Sequence, residues 1–83
     1  MTLNKHRIVE VSWIDAQSGF GRAEDVDELI NNLQPLITHS IGYLLKKDNN
    51  GILLGFMMFD NMVKHFQFIP KEMVLEIKYL NRR

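Results

Sequence analysis

Eighty-three residues suffice for one small domain (1–83) and lie close to the size at which a single core barely sustains a fold, so self-association is expected to add stability. Ten basic side chains cancel ten acidic ones, which excludes the global positive field that drives sequence-independent binding to nucleic-acid backbones. Disulfides are excluded by the absence of cysteine and a membrane-spanning helix by the lack of any apolar run near roughly 20 residues; the polar stretch before Ile8 lacks a signal peptide's apolar core, so a cytoplasmic protein with no membrane partner is expected.

The first predicted element is a strand over 8–15. Val9, Val11 and Trp13 alternate with Glu10 and Ser12, the period of a half-buried strand, which places Trp13 in the core. A loop follows around Gly19-Phe20-Gly21, and its aromatic is not explained by a loop alone. A helix is predicted over 23–34. Val26, Leu29, Ile30 and Leu33 recur at helical spacing, Glu24, Asp25, Asp27 and Glu28 sit where carboxylates complement the helix dipole, and Pro35 ends it. A helix this short needs tertiary burial, so its stripe is expected to lie on the sheet.

Strands over 38–47 and 52–59 flank Asp48-Asn49-Asn50-Gly51, whose Asn-Gly step suits a tight hairpin. Lys46-Lys47 beside that turn and Arg82-Arg83 are the two local cationic patches, both read as ordinary solvated surface. Leu53, Leu54, Phe56, Met57, Met58 and Phe59 make the third strand apolar on both faces, which predicts a central strand or an outer face covered by another subunit. Met57, Met58 and Met62 read as gap-filling core. Asp60-Asn61 turns the chain into a strand over 63–69, with Phe66 and Phe68 on one face and His65 and Gln67 on the other; a last strand runs over 73–80 after Pro70. The predicted fold class is mainly β with one helix (α+β): a small five-stranded barrel or bent antiparallel sheet, with the helix inserted between strands one and two.

Nucleophilic catalysis requires a hydroxyl held by a base. Ser12, Ser18 and Ser40 have only His6, His39 and His65 to serve them, and no spacing joins any pair; His39 and Ser40, adjacent on a strand, point to opposite faces. Scattered histidines without cysteine match no zinc spacing, the Asp48 turn is too short for a calcium loop, and no phosphate-loop or dinucleotide glycine pattern occurs. No enzyme activity, metal or cofactor is expected. Phe20 and Arg22 flank a loop position where an aromatic beside a guanidinium makes a base-stacking and phosphate-holding pair.

The segment Gly42-Tyr43-Leu44-Leu45-Lys46-Lys47-Asp48 resembles the first motif of Sm-like proteins, with a glycine, a hydrophobic residue two positions on and an aspartate six positions on. Ile69-Pro70-Lys71-Glu72-Met73-Val74-Leu75-Glu76-Ile77 is similar to their second motif in its hydrophobics at the first, sixth and ninth positions. Together the two segments fall within 38–80, about half of the chain. The resemblance implies an Sm-like or SH3-like barrel that acts by assembling and binding, ringing up by pairing strand four with strand five of a neighbour. In that family an asparagine after the turn aspartate contacts a base; here Asn49 and Asn50 lie closer to Asp48 than the pattern places it. Where the family carries an arginine-glycine pair this chain has Pro70 and Lys71, and Lys71 supplies the charge without arginine's planar fork. The family also places its helix before strand one.

A second set of segments resembles small uncharacterised bacteriophage proteins: Val11-Ser12-Trp13-Ile14-Asp15, Phe20, His39-Ser40-Ile41-Gly42-Tyr43-Leu44, Asp48-Asn49-Asn50 and Ile69-Pro70-Lys71. It implies a phage origin and brings no activity with it. The expected function is therefore a non-enzymatic, homo-oligomeric binding module, phage-encoded and acting in the host cytoplasm, that takes RNA or a small nucleotide, in one version a host immune signal. Its expected contacts, at subunit junctions, are Phe20, Arg22, Asp48, Asn49, Asn50 and Lys71. The alternatives are a module that binds and inhibits a host protein through the apolar third and fourth strands or the acidic helix, and a structural accessory protein.

Overall fold

A computed structural model of the chain describes residues 5–80; Arg82-Arg83 lies outside them. Its strands are β1 (Ile8–Asp15), β2 (Leu36–Asp48), β3 (Gly51–Phe59), β4 (Met62–Pro70) and β5 (Val74–Tyr79). Helix α1 (Val26–Asn32) follows β1 in the chain, and a 3₁₀ turn (Lys71–Met73) connects β4 to β5. The strands form one antiparallel sheet in the order β4-β3-β2-β1-β5. The sheet is open, with β4 and β5 as its two edges.

β1 is the hub. It pairs with β2 along its whole length, from Ile8↔Tyr43 to Asp15↔Leu36, and with β5 from Val9↔Tyr79 to Trp13↔Val74. The alternation read in β1 is the alternation observed: Val9, Val11 and Trp13 are buried together with Ile52 and Leu54 of β3 and Ile69 of β4, and Leu44, Met73, Val74 and Ile77 pack around them. β1 and β3 are separated in the sheet by β2, so their side chains touch only because the sheet curls about β2. That strand is long enough to serve both halves. Residues 36–43 pair with β1 and Tyr43–Asp48 with β3, and the register shifts between Leu44 and Lys46, a bulge that sharpens the local bend.

Two glycines admit this curvature. A Cβ on Gly42 would stand 2.8 Å from the Gly55 carbonyl oxygen and 3.1 Å from the Phe56 ring. Gly51, at φ 151°, has the Ile69 carbonyl oxygen where a Cβ would go. Inside the curl the Trp13 indole Nε1–H donates to Ser40 Oγ at 3.0 Å, which satisfies the polar edge of an otherwise buried ring. Outside it, the Arg7 guanidinium sits 4.9 Å above the Tyr79 ring and helps hold β5 to the chain entering β1.

Several expectations are corrected by this architecture. α1 is shorter than 23–34 because Asp25 caps it, its Oδ2 accepting the Glu28 N–H at 3.1 Å, so that Ala23 and Glu24 precede the helix; at the other end the Leu33 N–H closes on the Leu29 carbonyl just before Pro35. The apolar stripe of α1 does not lie on the sheet: Val26, Ile30 and Leu33 are 65%, 73% and 57% exposed. On β4, by contrast, the expected alternation holds, with Phe66 and Phe68 together on the exposed face, while the inner face carries Ile69 and Gln67, opposite Ile52 and Leu54. Complete burial of Ile69 decides the parity, and the two-residue period then carries Gln67 inward with it. Gln67 Oε1 is buried and accepts no hydrogen bond.

Met57 and Met62 are not core either, for a topological reason. β3 pairs with β2 only from Gly51 to Gly55 and thereafter only with β4, through Met57↔Lys64, Met58↔Val63 and Phe59↔Met62. The far half of the β3–β4 hairpin is thus an arm standing away from the rest of the sheet. At its base, opposite Phe56, His65 has φ 66°, a left-handed backbone inside a strand. The molecule is correspondingly elongated, with principal extents of 57 × 25 × 23 Å.

Candidate functional site at the rim of the sheet

The β2–β3 hairpin brings four of the six expected contact residues to one place. The Asn50 N–H donates to Asp48 Oδ1 at 2.8 Å, closing an Asx turn, and Lys46 Nζ lies 3.3 Å from Asp48 Oδ2. The Asn50 N–H, and after it Lys46, hold the Asp48 carboxyl below its ordinary pKa. Pairing of Gly51 with Pro70 carries the 3₁₀ turn alongside, where the Lys71 N–H donates to the Asn50 carbonyl at 3.1 Å. Asp48, Asn49, Asn50 and Lys71 therefore share one exposed rim, although Lys71 is distant in sequence. Lys46 belongs with them. Its i, i+2 spacing to Asp48 on a strand, which puts both side chains on one face, was the signal that could have singled it out.

Such a rim offers an ionised carboxylate, two carboxamides and two ammonium groups. Carboxamides and a carboxylate suit base edges and ribose hydroxyls, and ammonium groups suit phosphate. All of these side chains are exposed, so a ligand held here alone would stay largely in water.

Phe20 and Arg22 lie in the connection between β1 and α1, both exposed, Phe20 to 95%. Among the described residues no hydrogen bond or ion pair ties either to the Asp48 turn. Gln17 Nε2 donates to the Gln34 carbonyl at 2.6 Å and links the start of this connection to the segment that re-enters the sheet. The connection leaves β1 at Asp15, two residues beyond Trp13, whose partner Val74 directly follows the 3₁₀ turn that begins beside Asn50. The loop and the turn thus flank the same short element without touching.

One constellation was missed by spacing. Ser12 and His39 are register partners across β1 and β2, with Ser12 Oγ 2.9 Å from His39 Nδ1, and Glu10 Oε2 lies 3.5 Å from that same nitrogen. The expectation that nothing joins a serine to a histidine is thereby corrected, since pairing between strands leaves no trace in linear spacing. A serine–histidine–acid relay requires serine and acid on different ring nitrogens. Here both converge on Nδ1, so the trio is a polar cross-strand cluster on the outer face.

No group of three His, Asp or Glu side chains among the described residues is placed to hold a metal ion, and no helix is long and apolar enough to cross a membrane. In comparison with known proteins, no family model, no curated protein and no solved structure matches the chain.

Proposed function

We propose that the chain is a non-enzymatic, homo-oligomeric binding module, a divergent Sm-like small barrel in its assembled form, that holds RNA or a small nucleotide at the rim built from Asp48, Asn49, Asn50 and Lys71. The observation that carries this reading is the meeting of the Asx turn with Lys71 through the Lys71 N–H to Asn50 carbonyl bond, beside a sheet whose free edges are β4 and β5. Those are the two strands through which barrels of this kind pair with neighbours, and an open sheet with two unpaired edges needs such a device. Assembly would bring the Phe20–Arg22 loop of one subunit within reach of another's rim, adding a stacking ring and a guanidinium to amides and ammonium groups. A net charge of zero suits a small ligand better than a long polyanion. With the phage resemblance, this favours a module that sequesters a host signalling nucleotide.

Native mass spectrometry of the purified protein, alone and after addition of a panel of nucleotides and short RNAs, tests this directly. The expected result is a defined oligomer that gains one ligand mass per subunit or per junction, with excess absorbance near 260 nm wherever a nucleotide is retained. A protein that gains no mass from any of them overturns the ligand. The exposed apolar arm and helix favour a second reading, a module that binds and inhibits a host protein.

A further inference from the structure

The chain exposes far more surface than its mass warrants. A compact monomer of 9.7 kDa has about 5,100 Å² of accessible surface, whereas this chain has 7016 Å². Its radius of gyration is 16.6 Å, against about 12 Å for a compact chain of this length. The surplus, about 1,900 Å², exceeds the ~800 Å² that each partner contributes to a standard stable interface. Besides exposed strand residues such as Ile37, Ile41, Phe66 and Phe68, two apolar features among the described residues lack cover. One is the α1 stripe of Val26, Ile30 and Leu33; the other is the arm face formed by Met57, Phe59 and Met62, which are 51%, 53% and 59% exposed and which the register sets on one side of the hairpin.

We infer that these two surfaces cover each other between two copies of the chain, α1 of one lying on the arm of the other and the reverse, about a two-fold axis. Three observations select a second copy as the occupant. A reciprocal pairing uses both surfaces twice, as an isologous contact does. The surplus area of one chain is more than the ~800 Å² that each partner of a stable dimer buries. The charges also agree: the arm face carries Lys64, partner of Met57 in the register, and Asp27 in the first turn of α1 borders the stripe beside Ile30. With no net charge on the chain, two copies do not repel. This inference rests on the homo-oligomeric part of the proposed function and is separate from β4–β5 edge pairing.

The chain has no cysteine, so single-cysteine variants report the contact cleanly. Ile30→Cys and Met62→Cys, mixed in equal amounts and oxidised, are expected to give the mixed disulfide dimer in preference to either like-with-like product. In sedimentation velocity over a concentration series, wild type is expected to assemble, and Met62→Lys and Ile30→Glu, with unchanged far-ultraviolet circular dichroism, to dissociate at least about tenfold more readily, a change of ~1.4 kcal/mol. If wild type assembles and both charged variants assemble equally well, or only like-with-like disulfides form, this surface is wrong and the homo-oligomeric reading stands. A wild type that stays monomeric throughout overturns both, including the case in which the monomer instead binds a host protein.

Discussion

At Asp48 the carboxylate accepts the Asn50 N–H and faces Lys46, and its depressed pKa makes the turn a reporter of its own charge. The ionised form is the one favoured by folding. What it adds to turn stability is fully present above the ordinary value of 3.8 and is lost as pH falls through the lower folded value. An NMR titration following the Asn50 amide should therefore show a midpoint below 3.8; a midpoint at or above it contradicts the turn geometry. Phe20 and Arg22 are exposed and untied to the core, so Phe20→Ala and Arg22→Ala should abolish nucleotide binding while leaving thermal stability within about 0.5 kcal/mol. A large stability loss would move them out of any site. Gln67 behaves oppositely. Its buried Oε1 lacks a partner, so Gln67→Met should raise the urea midpoint, by the equivalent of about 1–2 kcal/mol; a fall would reveal a partner for that oxygen in the assembled protein.

At the scale of elements, the strand β4 illustrates both what a sequence displays and what it conceals. His65 at φ 66° predicts that a β-branched residue there is costly: His65→Val should destabilise by about 1–2 kcal/mol while His65→Gly is tolerated. Equal losses for both, measured by chemical denaturation, would place the cost in the imidazole rather than the backbone. Nothing in Val63-Lys64-His65-Phe66 announces that conformation, because a single left-handed residue in a strand is imposed by the packing on either side of it. The hairpin around Asp48-Asn49-Asn50-Gly51 was legible, since turn chemistry is local, and so was the Val9-Val11-Trp13 face. The inward turn of Gln67 was not. Phe66 and Phe68 outrank it in hydrophobicity, but face is chosen by a whole strand at once, and Ile69 fixed it. The residues of the candidate rim were legible in the same uneven way, Asp48, Asn49 and Asn50 as a turn and Lys71 only through the resemblance, and the Ser12–His39 contact was not legible at all.

Among the described residues, six buried apolar side chains form a very small core for the whole molecule, so each carries a large share of stability. Leu54→Ala should destabilise by about 2–5 kcal/mol, and in a domain of this size a loss at the upper end leaves little folded protein at room temperature. A near-neutral result would contradict the sheet register. The pairing that completes this core joins the two ends of the chain, with Val9 opposite Tyr79 and Trp13 opposite Val74. The β2–β3 and β3–β4 hairpins need only neighbouring residues, whereas β5 must find β1 across nearly the full length of the polypeptide. Loop-closure entropy for that contact is met before its packing repays it. In refolding kinetics the two hairpins are therefore expected to form first, leaving the valines of β1 uncovered until β5 docks.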